Sequence, residues 1–213
     1  NANTFASEAL RKGANYVVVD EDVQGTSDRC IRVPEVLTAL QLLSTHHRLG
    51  FDLPIIAITG TNGKTTTKEL VHAVLNSDRP TLATSGNLNN HIGVPLTLLR
   101  LRREHRIAII EMGANKPGDI AELMAIAQPT LGLITNVGKA HLEGFGGFDG
   151  VVRTKTELYR YFNNQRGSVF VNADDALLME RSAGLDRTTY GQDPRSTVQG
   201  TVLGNGPFLS IEF

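Results

Sequence analysis

The sequence has one cysteine, Cys30, no tryptophan and no marked excess of either charge over its 213 residues. A single cysteine cannot form a disulfide within the chain, so a disulfide-stapled secreted domain is excluded. Lysine and arginine number 21 against 22 for aspartate and glutamate, which excludes a strongly basic nucleic-acid-binding protein. No apolar run approaches the roughly 20 residues of a membrane-spanning helix, and residues 1–10 lack the layout of a signal peptide. We therefore expect a cytoplasmic protein with no membrane span and no nucleic-acid partner.

Hydrophobic residues make up 40% of the chain, which is enough to bury a core. From residue 55 onward, short apolar segments alternate with amphipathic ones. These segments predict strands at 55–59, 106–111, 131–136 and 168–172, and helices at 64–76, 94–101, 117–128 and 149–162. Because uniformly apolar strands that alternate with helices are typical of parallel sheets, we predict an α/β fold. Its centre is a mostly parallel sheet of P-loop type with helices on both faces.

The first fifty residues predict part of a smaller α/β domain. Their pattern indicates a helix at 5–12, strands at 15–20 and 29–33, and a second helix that begins at Pro34. A connector at 51–54 indicates a domain boundary near residue 50. Near the other end of the chain, 196–203 and 208–213 predict an antiparallel pair of strands. The glycine-rich segment 144–150 is predicted to be a loop.

The most specific motif follows the first apolar strand of the larger domain and opens a helix. Its residues are Gly60, Thr61, Asn62, Gly63, Lys64, Thr65 and Thr66. Glycines let several backbone N–H groups face one anion, the helix N-terminus adds partial positive charge, and Lys64 adds a full charge. The Thr65 hydroxyl is placed to reach Mg²⁺. The two glycines stand closer together than in the common P-loop, so the alternative to a phosphate-binding loop is an ordinary glycine-rich turn with a surface lysine.

Three further residues follow or end predicted elements near this loop. Glu111 ends the strand at 106–111, where a carboxylate can hold the Mg²⁺ of a nucleotide, and a merely solvated carboxylate is the alternative. His141 follows the strand at 131–136, and a lone histidine in a loop is commonly structural or solvated. Lys155 lies in a predicted helix, where a solvent-facing lysine is the ordinary interpretation. Taken alone, neither His141 nor Lys155 predicts a function.

A segment rich in side-chain amides lies between two glycines. It contains Thr84, Asn87, Asn89 and Asn90. Amides donate and accept hydrogen bonds at once, so they suit polyhydroxylated or peptide substrates. A turn cluster held by asparagine side chains is the alternative.

Together these motifs resemble the Mur ligase family of ATP-dependent amide-forming enzymes. The resemblance rests on residues 59–66, the asparagine-rich segment to Leu99, Glu111 to Asn115, Asn136 to His141, and Lys155. Within the family, the sequences 86–99 and 141–145 are most similar to the branch that joins D-alanyl-D-alanine to UDP-N-acetylmuramoyl-tripeptide. The resemblance implies ATP as a substrate and an acyl phosphate as the intermediate.

The resemblance also implies a role for each matching residue. Lys64 would contact the β- and γ-phosphates of ATP within the loop 60–66, while Thr65 and Glu111 would hold a first Mg²⁺. His141 would serve a second Mg²⁺, and Lys155 matches the family's carbamylated lysine. Thr84, Asn87, Asn89 and Asn90 would face the UDP-muramoyl peptide. Lys64, Lys155 and His141 are thus the implied catalytic residues.

The family's three-domain organisation implies where this chain belongs. Residues 1–50 would be the C-terminal part of the UDP-sugar-binding domain, and 51–213 an incomplete central ATP-binding domain, with the C-terminal domain absent. We therefore expect a monomer that does not complete the reaction by itself. Two alternatives stay open: another ligase of the family, such as the one that adds the third amino acid, and a P-loop ATPase or nucleotide-binding module that joins nothing.

Overall fold

The structure, a computed structural model, describes residues 2–23, 27–138, 142–205 and 209–213. Its N-terminal part contains helix α1 (Ala6–Arg11) and two short strands, β1 (Val17–Val19) and β2 (Cys30–Arg32). The two strands pair in parallel, and α1 packs its apolar side on β1 in a small core of its own. The predicted helix and both predicted strands of this region are confirmed.

A seven-stranded sheet forms the centre of the remainder. Its strands are β3 (Ile55–Thr59), β4 (Thr81–Ala83), β5 (Ile107–Glu111), β6 (Leu131–Ile134), β7 (Ser168–Asn172), β8 (Arg187–Gly191) and β9 (Val198–Gln199). They lie in the order β4-β5-β3-β6-β7-β8-β9, and every neighbouring pair is parallel. The predicted parallel sheet is confirmed. Because the chain leaves β3 toward one side and later returns to β6 on the other, the carboxyl end of β3 lies at a topological switch point, where open α/β sheets bind ligands.

Helices cover both faces of this sheet. The helices of this part of the chain are α2 (Val36–Leu49), α3 (Lys64–Asn76), α4 (Gly93–Leu98), α5 (Asp119–Ala127), α6 (Leu142–Phe145), α7 (Phe148–Lys155), α8 (Glu157–Asn164) and α9 (Ala176–Arg181). On one face α3 packs against Ile56 and Ile58, while α4, α5, α8 and α9 pack on the opposite face with Ile55 and Ala57. All five positions of β3 are therefore buried, as its apolar sequence predicts. Within the described ranges, no helix is both long and apolar enough to cross a membrane.

Helix α2 is attached to the large sheet's helical layer through Arg48. The side chain of Arg48 is buried and donates hydrogen bonds to the carbonyls of Ala127, Gln128 and Phe51 at 3.2, 3.2 and 2.8 Å. Ala127 and Gln128 end α5, where carbonyls lack intrahelical partners. A cation therefore satisfies the carboxyl end of α5 and holds the connector at 51–54 beside it.

The structure corrects two predictions between residues 144 and 162. The single helix predicted at 149–162 is two helices, α7 and α8, separated at Thr156, whose backbone lies at φ −76° and ψ 0°. The predicted glycine-rich loop instead contains the end of α6 and the start of α7. A Cβ on Gly150 would lie 1.6 Å from the Phe145 carbonyl oxygen. Glycine at position 150 permits the close packing of two short helices. A glycine-rich sequence pattern looks the same for such a contact as for a loop.

The end of the chain forms part of the sheet and then a separate hairpin. Strand β10 (Thr201–Asn205) pairs with β11 (Leu209–Glu212) in antiparallel register, which confirms the predicted pair. The predicted first strand of that pair begins too early, because Val198–Gln199 belongs to β9 beside β8. The strands β4 and β8 are not predicted, since they are short or rich in polar residues, and the residues of β9 are predicted only as part of the hairpin strand at 196–203.

Candidate functional site

The predicted phosphate loop connects β3 to α3 and bends at two glycines. Gly60 has φ +143°, and a Cβ there would lie 2.0 Å from the Thr135 hydroxyl oxygen. Gly63 has φ +75° and stands immediately before α3. Glycine suits position 60 for two reasons. This φ is strained for any residue with a side chain, and a side chain would collide with Thr135 at the end of β6. The loop therefore passes close to the end of β6. It leads into the first turn of α3, whose N–H groups have no partners within the helix and can bind an anion at the carboxyl edge of the sheet.

Hydrogen bonds attach this loop to the residues that follow β6. The Thr61 N–H donates to the Asn136 carbonyl at 3.0 Å, and the Asn62 N–H donates to the Asn136 side-chain oxygen at 3.1 Å. In the opposite direction, the Gly138 N–H donates to the Thr61 hydroxyl at 2.9 Å. These bonds, from both backbone and side chain, hold the loop against the segment that follows β6.

Lys64 begins α3 and folds back over the loop. Its ammonium donates to the carbonyls of Gly60 and Thr61, both at 3.0 Å. The side chain is half-buried, and this burial lowers the pKa of Lys64, while the Glu111 carboxylate acts in the opposite direction. The cation is thus held at the surface of the loop, where an anion bound to the helix N-terminus would meet it.

Glu111, at the carboxyl end of β5, lies beside the loop. It is only 1% exposed. One carboxylate oxygen accepts a hydrogen bond from the Thr65 hydroxyl at 2.9 Å, and the other accepts one from the Asn89 amide at 2.8 Å. The Glu111 backbone N–H donates to the Thr84 hydroxyl at 3.0 Å. Carboxylate, hydroxyl and amide groups thus form one connected network at the sheet edge.

The donor set at this edge fits Mg²⁺. A hydroxyl oxygen and a carboxylate oxygen, on Thr65 and Glu111, stand next to each other beside the phosphate loop. Mg²⁺ prefers such hard oxygens and commonly takes one or two from the protein, with the rest from water and phosphate. Within the described ranges, no group of three or more His, Cys, Asp and Glu residues is placed to hold a metal. The Thr65 and Glu111 oxygens fit a Mg²⁺ that takes its remaining ligands from water and phosphate.

Lys155, the last residue of α7, lies close enough to Lys64 for their charges to interact. It is 4% exposed, and its ammonium lies 5.9 Å from the centre of the Phe145 ring. Burial, followed by the positive charge of Lys64, lowers the pKa of Lys155 to about 8, although Asp119 and Glu157 act to raise it. A lysine in this state has a far larger neutral fraction at neutral pH than a surface lysine.

A cleft of about 430 Å³ opens beside these groups. The described residues that line it include Thr61, Lys64 and Lys155 from the predicted catalytic and nucleotide sets, and Asn87, Asn89 and Asn90 from the predicted substrate set. Residues 113–116 and Asp119 form another wall. The structure thus brings the loop, the second lysine and the amide-rich segment to one concave surface. A larger groove of about 650 Å³, between α7, α8 and α9, contains none of the predicted site residues.

Not all of the predicted site residues are found at the cleft among the described residues. Thr84 is 2% exposed and does not line the cleft, and its hydroxyl accepts from the Glu111 backbone instead. His141 lies outside the residues that the structure describes. Thr66 and Asn62 are exposed on the loop itself. The prediction that Thr84 and His141 serve substrate and metal therefore stays a prediction.

The structure also reveals residues that the sequence does not single out. Glu157 is buried, and its carboxylate accepts hydrogen bonds from Gly118 and Ala121 at 2.8 and 2.9 Å, which stabilises the start of α5 beside Lys155. Lys68 is fully buried one helical turn after Lys64. The sequence offers one weak signal for each residue: Glu157 lies two residues after Lys155, and Lys68 lies four residues after Lys64. Neither position predicts burial, because charged residues are ordinarily exposed.

Comparison with known proteins places this arrangement in a family. Residues 58–204 match the model of the Mur ligase middle domain. The chain belongs to the Mur ligase family. A UDP-N-acetylmuramoyl-tripeptide–D-alanyl-D-alanine ligase from Synechocystis is 40% identical over 98% of this chain and 47% of the relative. The ligase of the same name from Escherichia coli is 38% identical over 82% of this chain and 38% of the relative.

Solved Mur ligase structures show the same fold. MurF from Acinetobacter baumannii superposes with a TM-score of 0.82 at 37% identity, covering 90% of this chain and 43% of that one. The MurF ligase from Thermotoga maritima in complex with ADP gives 0.80 at 32% identity, covering 89% and 44%. The α/β fold and the family implied by the sequence are therefore confirmed. The chain spans less than half the length of these relatives.

Proposed function

We propose that the protein is an ATP-dependent ligase of peptidoglycan precursor synthesis that joins D-alanyl-D-alanine to UDP-N-acetylmuramoyl-tripeptide. The observation that supports this most is the convergence of the phosphate loop, the Thr65–Glu111 oxygen pair, Lys155 and the amide-rich wall at one cleft. An ATPase switch needs the loop and the metal oxygens, but it has no use for a second buried lysine beside an amide-lined wall. The names of the relatives indicate which amide bond is made.

The proposed reaction has two steps. A carboxylate oxygen of the tripeptide attacks the γ-phosphorus of ATP, the bond to the β-phosphate oxygen breaks, and ADP leaves an acyl phosphate behind. The amine of D-alanyl-D-alanine then attacks the acyl carbon, an amide bond forms, and phosphate leaves as the amine loses a proton. A free carboxylate is a poor electrophile, so this activation is what makes amide formation possible in water.

The chain's own residues bind and orient the nucleotide. The N-terminus of α3 and the Lys64 ammonium hold the phosphates, and Lys64 neutralises charge that develops as the γ-phosphoryl is transferred. Thr65 and Glu111 would hold Mg²⁺, which supplies charge neutralisation on the phosphate oxygens when bound. Because the loop is already attached to Asn136, binding costs little ordering of the backbone.

Lys155 is proposed to be carbamylated and, with His141, to serve a second Mg²⁺. The pKa of Lys155 near 8 leaves about a tenth of the amine neutral at pH 7, and only the neutral amine adds CO₂. The neutral amine has already lost one proton, and the addition of CO₂ forms an N–C bond and releases a second. The ammonium cation thus becomes a carboxylate-like anion with the loss of two protons in all. The test is a carbon-13 spectrum in labelled bicarbonate. A carbamate signal that is present in the unmodified protein and lost in Lys155→Met supports the proposal. Identical spectra of the two proteins refute it.

The substrate side of the site is proposed from the cleft wall. Asn87, Asn89 and Asn90 line it and would contact the UDP-muramoyl peptide, whose amides and hydroxyls match their donors and acceptors. Residues 1–50 are proposed to end the UDP-sugar-binding domain, and 51–213 to be the central ATP-binding domain of a longer, monomeric, cytoplasmic enzyme. The dipeptide would then be bound largely by another domain of that longer enzyme.

The experiment measures phosphate release from ATP and Mg²⁺ with UDP-muramoyl tripeptide, with and without D-alanyl-D-alanine, in the protein at its natural full length. Release that requires the dipeptide, together with the pentapeptide product by mass, supports the proposal. Release that follows a different amino acid favours another Mur ligase. Release that no amine alters favours an ATPase. Lys64→Ala should abolish turnover while the protein remains folded.

A further inference from the structure

Lys68 places a full positive charge inside the protein directly beneath the candidate site. It lies on α3, four residues after Lys64, and its side chain is 0% exposed. Burying an ammonium costs several kcal/mol unless partners compensate for the lost water. A methionine of similar length would fill the same space without that cost, so packing alone does not explain a lysine here.

Lys68 has two partners, the carbonyl of Thr84, which directly follows β4, and the carboxylate of its neighbour Glu69 on α3. Its ammonium donates to the Thr84 carbonyl at 2.7 Å and pairs with the Glu69 carboxylate at 2.7 Å. Glu69 is 61% exposed, so its share of the interaction is screened by solvent. The buried and directional contact is therefore the one with the Thr84 carbonyl.

Thr84 connects this contact to Glu111. Its hydroxyl accepts a hydrogen bond from the Glu111 backbone N–H at 3.0 Å, and its own N–H donates to the Ile109 carbonyl at 3.0 Å. A single residue thus joins the Lys68 ammonium to the backbone of the carboxylate that faces Thr65. If the carbonyl of Thr84 moves, the hydroxyl that fixes the Glu111 backbone moves with it.

Thr84 also begins the segment that returns to the other oxygen of Glu111. Five residues later, the Asn89 amide donates to that oxygen at 2.8 Å, and the Asn89 carbonyl accepts from the Gly113 N–H at 2.7 Å. Glu111 is therefore held at its backbone by Thr84, at one oxygen by Asn89, and at the other by Thr65, which lies on the same helix as Lys68. Because Thr65 and Lys68 both belong to α3, these hydrogen bonds form a ring that begins and ends on that helix.

We propose that Lys68 is a positioning residue for the Mg²⁺ site, which it acts on through Thr84. The proposal rests on one part of the function proposed above, namely that Thr65 and Glu111 hold the Mg²⁺ of a bound nucleotide. Lys68 touches neither nucleotide nor metal. It fixes the distance between α3, which supplies Thr65, and the end of β5, which supplies Glu111.

The test is the gain in ADP affinity that Mg²⁺ produces, measured by calorimetry on the full-length protein. Lys68→Met removes the donor to Thr84, so we expect the Mg²⁺ gain to fall about tenfold. We expect the affinity for ADP without Mg²⁺ to stay within about twofold, because the loop and Lys64 are unchanged. Lys68→Gln retains a neutral donor and should give an intermediate gain.

Glu69→Gln is the matched control, since it removes the exposed partner but keeps the contact with Thr84. Its Mg²⁺ gain should equal that of the unmodified protein. The proposal is overturned if Lys68→Met keeps the full Mg²⁺ gain, or if it loses metal-free and metal-dependent affinity in equal measure, as a purely structural role would require. Should Lys68→Met not fold, the same comparison of Lys68→Gln with Glu69→Gln decides.

Failure of this proposal is distinguishable from failure of the proposed ligase function. The ADP measurement needs neither the muramoyl peptide nor the dipeptide. An unmodified protein that binds ADP with a Mg²⁺ gain but joins no dipeptide refutes the ligase and leaves the role of Lys68 testable. An unmodified protein with no Mg²⁺ gain refutes the metal site, and with it the role of Lys68.

Discussion

Replacing Lys155 with methionine should make the protein more stable at neutral pH. The Lys155 side chain is 4% exposed, and burial is the largest cause of its lowered pKa, followed by the charge of Lys64. Both causes disfavour the charged form in the folded state. Methionine has a similar length and no charge, so Lys155→Met removes the penalty while it fills most of the same space.

The size of the effect follows from the pKa of Lys155. A decrease from 10.5 to about 8 corresponds to about 3 kcal/mol of penalty on the charged form. Below about pH 8 the lysine is protonated in both states, so the whole penalty is present. Between about pH 8 and 10.5 the unfolded chain binds more protons than the folded one, and the unmodified protein therefore gains stability as the pH rises. The advantage of Lys155→Met should be about 1–3 kcal/mol at pH 7 and should shrink toward pH 10.

The assay is urea unfolding of both proteins at pH 7 and pH 10 in buffers free of CO₂, because a carbamate would change the charge of the lysine. Lys116→Met is the control, since Lys116 lines the same cleft but is exposed. It should change the free energy of unfolding by less than about 0.5 kcal/mol at either pH. If Lys155→Met destabilises the protein at pH 7 as much as at pH 10, the argument from burial is refuted.

Three further substitutions test the geometry around the site. Gly60→Ala places a Cβ against Thr135 at φ +143°, so ADP binding measured by calorimetry should weaken at least about tenfold. The control is Gly200→Ala, whose Cβ would meet its neighbours at an ordinary contact distance and which should leave ADP binding unchanged. Arg48→Met leaves three carbonyls without a donor and should cost about 3 kcal/mol in urea unfolding; a cost below about 1 would contradict the described contacts. Glu157→Gln removes a charge that raises the pKa of Lys155, so the midpoint of Lys155 acetylation against pH should move lower, and an upward shift would refute the assignment.

The backbone of the site could be predicted from the sequence because its signals are local. A buried strand, two glycines at a forced turn and a helix start all lie within residues 55–66, and the structure places β3, the loop and α3 where the pattern puts them. The same holds for Glu111, since the end of an apolar strand is visible in the sequence. Thr156 gives no such signal, because the break between α7 and α8 occurs without proline or glycine.

Contacts between distant segments could not be predicted. The pairing of Lys68 with Thr84, and the position of Thr84 behind Glu111, depend on how α3 packs over β4 and β5. β4 has three residues, too few for a periodic pattern, so the sequence gives no register for the segment that follows it. Thr84 stays a predicted substrate contact, and the hydrogen bond of its hydroxyl to the Glu111 backbone is a contact that the sequence does not indicate.

The charges around the cleft explain why it suits an anion with several phosphate or carboxylate groups. The positive charge of Lys64 lowers the pKa of Lys155, while the Glu111 carboxylate acts on the pKa of Lys64 in the opposite direction. A phosphate group between the two lysines would relieve their repulsion at a site where water is partly excluded. If Lys155 becomes a carbamate, its sign reverses and the same position then attracts a cation. Under the carbamylation proposed above, one buried lysine would give the cleft two electrostatic states, and its lowered pKa favours the neutral amine that adds CO₂.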